Sequence, residues 1–389
     1  MPVAGKRRIL ILTFLGSIAT TLIELGMYFY THKMLGFSEL ANLSLALGWG
    51  LTYVAGALLS HRLAKRLGER NLAFTVSFVQ LAMNLVIWSN PTPFVLTTCF
   101  LVIGVATGMM WPVIESYISS GLTPRHARRI IGYFNLTWSS AVAVALIATG
   151  VILDTLPPAS MMLAAAGLNA LVCLMILGLR ARPRHMELDH PERPPADQLH
   201  RWQHLLNSSR WTMLASYTLL FLMAPLLPEI FTDLGLTPAM AAYAAAALHA
   251  VRFLTFAGMI FFPQWHNRSW PLVAALALQP VSFLIILFGP SVPIVIFGEI
   301  LFGWCAGISY FAALYYAQVI QNASVEAGGE HEGLIGAGFA IGPLLGIIAM
   351  TAGGSLWIVA LTTGPFLALT AWKAARTLPG SQQRHQPDR

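Results

Sequence analysis

Charge is what this sequence has least of. Asp, Glu, Lys and Arg make up 10% of its 389 residues, against about 25% in an ordinary soluble domain. Apolar residues reach 56% and the mean hydropathy is +0.66. A soluble fold would have to hide nearly all of its surface to live with that balance, so lipid is the main solvent. This excludes a soluble enzyme, a nucleic-acid-binding module and a disordered chain. Cysteine is scarce as well. Cys99, Cys173 and Cys305 fall inside apolar runs and read as small buried hydrophobes, with neither a disulfide framework nor a metal cluster. Catalytic constellations are missing: there is no G-x-S-x-G, no P-loop, no H-E-x-x-H and no Cys/His metal spacing. An enzyme, a cofactor and a bound metal are therefore not expected, and ATP-driven transport by this chain alone is disfavoured.

What is present is a series of long apolar runs. A spanning helix needs about 20 such residues. Twelve candidates run over about 9–31, 40–62, 71–90, 93–119, 129–153, 159–180, 211–232, 238–262, 270–289, 292–319, 331–352 and 355–376. They are too long and continuous for barrel strands, the other spanning solution. The first run follows Lys6-Arg7-Arg8 and extends to about Tyr30. That exceeds the roughly 7–15 residues of a signal core, so a retained first span is expected.

The connections alternate. One set is basic, at Lys6 to Arg8, Arg62 to Arg70, Arg125 to Arg129, Arg180 to Arg210, Arg268 and Lys373 onward. The other is short, neutral and turn-rich, as at Asn90-Pro91, Leu156-Pro157-Pro158, Gly289-Pro290 and Gly353-Gly354. Of 23 Lys and Arg, 21 fall on the basic side, with Lys33 opposite and Arg252 inside a span. The positive-inside rule places both termini in the cytoplasm, with the plasma (inner) membrane as the expected location. The net charge of +7 and pI of about 9.5 are thus mostly a topology signal. The loop 320–332 departs from the pattern through Glu326, Glu330 and Glu332.

Residues 181–210 form the one long polar linker, with Pro183, Pro191, Pro194 and Pro195. It separates an N-terminal six-span unit, 1–180, from a C-terminal one, 211–389. Its end is either plain linker or a short interfacial helix, since Leu199, Trp202, Leu205 and Leu206 share a helical face. The halves read as copies. Leu35-Gly36-Phe37-Ser38 recurs as Leu234-Gly235-Leu236-Thr237, Pro91 as Pro290, and Gly104 and Gly108 as Gly303 and Gly307, all at an offset of 199. Parallel six-plus-six duplication is a transporter architecture with its site near the midplane.

Over its whole length the chain resembles the major facilitator superfamily (MFS), and two motifs sharpen the resemblance. The segment 59–71, LSHRLAKRLGERN, is similar to the family's signature loop G-x-x-x-D-R-x-G-x-R. Arg66, Gly68 and Arg70 match, while His61 replaces Gly and Lys65 replaces the Asp that anchors a charge relay at the cytoplasmic gate. Trp265 and Arg268 keep hints of it in the second half. Gly329, Gly338, Gly342, Pro343 and Gly346 fit G-x8-G-x3-G-P-x-x-G, which the family places in its fifth helix and associates with antiport. Here that helix has Gly132 and then Ala141, Ala145 and Leu146, and the motif sits in the eleventh. Close helix packing accounts for it equally well. The resemblance implies an all-α membrane protein of twelve transmembrane helices in two pseudo-symmetric six-helix bundles, working by alternating access.

Ionisable residues inside a bilayer are expensive and mark function by default. Thr13, Ser17, Thr20, Glu24 and Tyr28 recur every three or four residues and share one face of the first span, which lines the central cavity in the resembled family. Glu24 there suits a proton carrier or a ligand for a cationic group. Arg252, with His249 one turn earlier, needs a counter-charge. The candidates are Glu299, by family architecture, or an anionic substrate. Glu115 is expected to pair with Arg128 or Arg129 at the gate, and Glu229 to be solvent-exposed. Asn84, Asn135, Asn169 and Gln279 read as helix-holding groups, with Asn135, Trp111, Trp138 and Trp304 as candidate cavity lining. The expected function is secondary transport of a small solute, by proton-coupled export. The alternatives are an uptake symporter or uniporter for an organic anion or metabolite, and a non-transporting receptor or scaffold. Expected partners are that solute, protons or another coupling ion, and the lipid bilayer, with no nucleic acid and a monomer as working unit.

Overall fold

The computed structural model describes residues 3–121, 124–183, 195–320 and 325–378, which are almost entirely helical and contain no strand. In hydrocarbon every backbone N–H and C=O must find an internal partner, and a helix supplies one within its own segment. The elements are α1 (Val3–Glu24), α2 (Gly26–Tyr30) and a π turn (Thr31–Leu35), α3 (Glu39–Leu67), α4 (Glu69–Ser89), α5 (Pro93–Ser119), α6 (Pro124–Thr155), α7 (Ser160–Leu177), α8 (Ala196–Met223), α9 (Leu227–Asp233), α10 (Pro238–Phe261), α11 (Trp270–Phe288), α12 (Val292–Ile320), α13 (Val325–Thr351) and α14 (Leu356–Arg376). Among the described residues, eleven helical stretches are long and apolar enough to cross a bilayer. The α8–α9 pair, bent by 54°, makes a twelfth if it is counted as one span.

Local chemistry sets the element ends. The Ser38 hydroxyl accepts from Ala41 N–H at 3.3 Å and starts α3. The Thr237 hydroxyl accepts from Met240 N–H at 3.2 Å and starts α10. Both are N-caps, preceded by Gly36 and Gly235 at φ +62° and +89°, a region glycine enters at no steric cost. These pairs sit 199 residues apart. So do the two helix breaks, near Leu25 in the first span and near Ala224 in the seventh. The duplication read from scattered residues is therefore also a duplication of caps and breaks.

Three boundaries differ from the sequence expectation. The polar linker 181–210 is helical from Ala196, and that helix runs without interruption into the seventh span. Trp202, Leu205 and Leu206 are buried rather than laid on a membrane surface. Trp202 packs on Tyr315 and Tyr316 and donates its indole N–H to Asn267, so apolar burial against the protein wins over interfacial placement. Second, the acidic loop 320–332 is mostly helix, because α13 begins at Val325 and carries Glu330 and Glu332. Third, α1 stops at Glu24 and a new segment starts at Gly26. Pro191, Pro194 and the side chains of Arg128 and Glu326 lie outside the described residues.

The outer surface is apolar, as lipid contact requires. Leu58, Phe94, Leu174, Phe261 and Leu361 are each more than 60% exposed. Polar side chains point inward instead: Gln80 Nε2 donates to Thr107 at 3.2 Å, and Gln279 donates to Ser216, which is 2.9 Å from Ser309. Those bonds tie α4 to α5 and α11 to α8 and α12. Two seams join the N-terminal and C-terminal halves. The α3–α13 seam is closed from Gly346 against Leu43 to Gly336 against Val54, and a Cβ on Gly50 would lie 2.3 Å from the Phe339 backbone. The α6–α10 seam is closed from Gly132 against Ile260 to Gly150 against Tyr243.

Candidate functional site

Between these seams lies a cavity of about 90 Å³, lined by residues of both halves. The α1 stripe reaches it through Ser17, Thr20 and Glu24, joined by Thr21. Thr13 is buried without a hydrogen-bond partner. Tyr28 is absent from the lining: the helix is interrupted after Glu24, so the four-residue register does not carry through. Its carbonyl instead accepts from Asn42, and that asparagine also accepts from the Thr31 hydroxyl at 2.7 Å.

Opposite Glu24, α10 presents His249 and Arg252. Arg252 Nη2 lies 2.9 Å from His249 Nδ1. A guanidinium only donates, so Nδ1 accepts and the imidazole is neutral with its proton on Nε2. The Arg252 guanidinium carbon also lies 4.5 Å from the centre of the Trp138 ring, a desolvated cation–π contact contributing about 2 kcal/mol. Asn135 does not line the cavity. It accepts from Trp138 Nε1 at 3.1 Å and so fixes the ring that Arg252 covers. Trp138 in turn meets Tyr310 and Phe256 edge-on, at 4.9 and 5.4 Å.

The expected Arg252–Glu299 pair is not formed. Both oxygens of Glu299 are buried without a hydrogen-bond partner, and the residue does not line the cavity. Among the described residues the one ion pair given by geometry is Arg210–Glu330, at 2.9 Å. Trp111 lines the cavity, whereas Trp304 lines an outward-facing groove beside Leu254 and Phe262, both more than 60% exposed. Glu115 does not meet Arg129, which donates to the Tyr133 hydroxyl at 2.9 Å. Glu115 instead points across the seam, within 4.8 Å of His331 and Glu332 on α13. In the signature loop Arg66 is exposed and Arg70 half-buried. The Arg70 N–H donates to Ala181 O at 3.3 Å, so that loop docks on the end of α7 by its backbone. Gly338 and Gly342 bring α13 against α8, where a Cβ on Gly342 would lie 2.2 Å from Thr218 O.

The sequence reading missed Tyr53, Tyr217, Tyr310 and Glu332, all of which line the cavity. One signal for two of them was the internal repeat. At the offset of 199, Tyr53 is the counterpart of Arg252 and Trp111 of Tyr310. A second was the spacing of Glu332, Ile335 and Phe339 on one helical face. The cavity thus combines two carboxylates, one guanidinium and an aromatic wall. At about 90 Å³ it is smaller than the roughly 300–1,000 Å³ of ligand sites.

Similar folds are found among solved structures. The fucose transporter FucP in its outward conformation superposes with a TM-score of 0.64 at 15% identity, over 96% of this chain and 99% of that one. The nucleoside transporter NupG gives 0.68 at 13%, over 97% and 99%. The human organic anion transporter MFSD10 gives 0.64 at 13%, over 96% and 100%. No curated protein matches in sequence. At these identities the likeness is one of fold, that of a multi-pass membrane transporter. The family description that matches the sequence itself is Major Facilitator Superfamily, over residues 9–330. Spanning most of the chain and agreeing with the duplicated helices, it settles the family: the protein belongs to the Major Facilitator Superfamily.

Proposed function

We propose that the protein carries a small organic anion together with a proton through the central cavity, by alternating access of its two halves. The observation that carries this reading is Arg252. It is 3% exposed, lines the cavity and has no carboxylate within ion-pair distance. Its Nε has no hydrogen-bond partner. A buried cation is costly when uncompensated, and an anionic solute group would supply the missing charge. Glu24 faces the same space and can take the proton that balances the anion. The Trp138, Tyr217 and Tyr310 rings offer flat apolar contact for the rest of the solute. Anion and proton then move in the same direction.

The sequence arguments for export are the outer-half carboxylates and the glycine motif of the eleventh span. Glu299 lies outside the cavity and the motif glycines pack α13 on its neighbours, so neither observation supports export over import. The cytoplasmic location of both termini and a monomeric working unit belong to the same proposal, on the alternation of basic and neutral loops.

The test is a thermal-shift screen of the purified protein against small carboxylates, sugar phosphates and lipophilic cations. A ligand at 100 times its dissociation constant adds about 2.7 kcal/mol of stability. Stabilisation is expected from anions and should fall by at least about 30-fold in affinity in Arg252→Ala, the cost of leaving one side of a charged contact unpaired. Stabilisation by cations that Arg252→Ala retains would overturn the proposal.

A further inference from the structure

At the edge of the cavity, with Glu332 in its lining, α5 and α13 bring three buried groups together. Glu115, His331 and Glu332 are 1%, 0% and 4% exposed, and each offers one ligand atom within 4.8 Å of the others. No donor group reaches either oxygen of Glu115, which faces the Glu332 carboxylate, and both ring nitrogens of His331 have no hydrogen-bond partner. The Tyr53 hydroxyl donates to Glu332 and orients it. Gly328 lets the helices approach, since a Cβ there would lie 2.7 Å from Glu115 Oε2. Arg210, on the neighbouring α8, is engaged by Glu330 of α13 at 2.9 Å.

We infer that Glu115, His331 and Glu332 form a binding site for a divalent transition-metal cation of the Zn²⁺ class, bridging the two halves. Two carboxylates alone would be satisfied by a shared proton or by a hard cation. The imidazole beside them, without a hydrogen-bond partner, is what selects the class. Mg²⁺ and Ca²⁺ prefer oxygen ligands in sets of six to eight, whereas imidazole with carboxylate suits Zn²⁺ and its neighbours. Two carboxylates neutralise the ion in a low-dielectric setting, and Tyr53 supplies the outer hydrogen bond that orients a ligating carboxylate. Arms of about 2.0–2.2 Å require the three donors to draw in slightly, a side-chain movement. Glu115 belongs to the N-terminal half and His331 and Glu332 to the C-terminal half. The bound ion therefore ties the halves together at the end where the basic loops lie, and holds that end shut. The site shares Glu332 and Tyr53 with the cavity lining but needs neither Arg252 nor a transported anion.

The experiment uses full-length protein in lipid nanodiscs, with His200→Ala and His204→Ala as background. Those two imidazoles meet edge-on at 4.8 Å on α8 and would chelate metal at the surface. Co²⁺ is titrated and followed by its visible d–d absorption, then displaced with Zn²⁺ or Mg²⁺. One equivalent of Co²⁺ is expected, displaced by Zn²⁺ but not by Mg²⁺. Affinity should fall by about 100-fold or more in His331→Ala and in Glu115→Gln, and by about 10- to 100-fold in Tyr53→Phe, an outer-contact loss. The Tyr53→Phe arm keeps all three ligands and guards against a variant that fails to fold. No binding by the parent, unchanged affinity in His331→Ala and Glu115→Gln (an adventitious ion only), or equal displacement by Mg²⁺ would each overturn the inference.

Discussion

At the scale of the residue, the cavity is organised around one buried cation with no carboxylate within ion-pair distance. Arg252 is held by a hydrogen bond to His249 and by the face of Trp138, and both contacts leave its charge unneutralised. The consequence falls on Glu24. If that carboxylate carries the coupled proton, Glu24→Gln should abolish accumulation driven by a pH gradient in proteoliposomes while solute exchange between equal pools continues. Exchange needs binding and movement of the halves but no net proton transfer. Loss of both, with an unchanged melting temperature, would assign Glu24 to solute binding instead.

At the scale of the element, two features decide how the helices sit. Gly50 allows α3 to lie directly on the α13 backbone, because its Cβ would be 2.3 Å from Phe339 C. Gly50→Val should destabilise by about 1–3 kcal/mol, the usual cost of overpacking, measured as a lower denaturation midpoint in detergent. Asn267, between α10 and α11, has φ +59°. It accepts from Trp202 through its side chain and from Arg201 Nη2 at 2.7 Å through its carbonyl, so it pins α8 to that loop. A β-branched residue is strained at that φ, and its side chain cannot accept from Trp202. Asn267→Val should therefore cost about 2–3 kcal/mol, whereas Asn267→Gly, which removes the strain but also the side-chain bond, should cost about half as much. Equal effects of the two would show that the hydrogen bond, not the backbone, carries the position.

At the scale of the molecule, both seams between the halves are closed in this conformation and the cavity is small. Transport therefore requires the α6–α10 seam to part at one end at a time. Gly132 and Ile260 meet near the basic-loop end of that seam. With Cys99, Cys173 and Cys305 replaced by Ala, a Gly132→Cys/Ile260→Cys pair should cross-link on mild oxidation and stop transport, and a reductant should restore it. Uninterrupted transport by the fully cross-linked protein would mean that this seam does not open.

Hydropathy alone determined the approximate number of spans and their limits, because lipid makes every spanning segment declare itself as a long apolar run, and residues recurring at an offset of 199 marked the duplication. It also marked Glu24, Arg252 and His249, since an ionisable group inside such a run stands out against it. The cavity tyrosines were not legible: a tyrosine in an apolar helix looks alike whether it faces lipid, a neighbour or a cavity. Glu332 and His331 were hidden differently. They lie at the end of a span, where a polar residue reads as loop, and only the helical continuation from Val325 buries them. Partners were beyond the sequence altogether. That Arg252 meets Trp138 and not Glu299, and that Glu115 meets α13 and not Arg129, depends on how far two helices turn about their own axes. Packing between helices sets those rotations, and residue spacing along one helix does not.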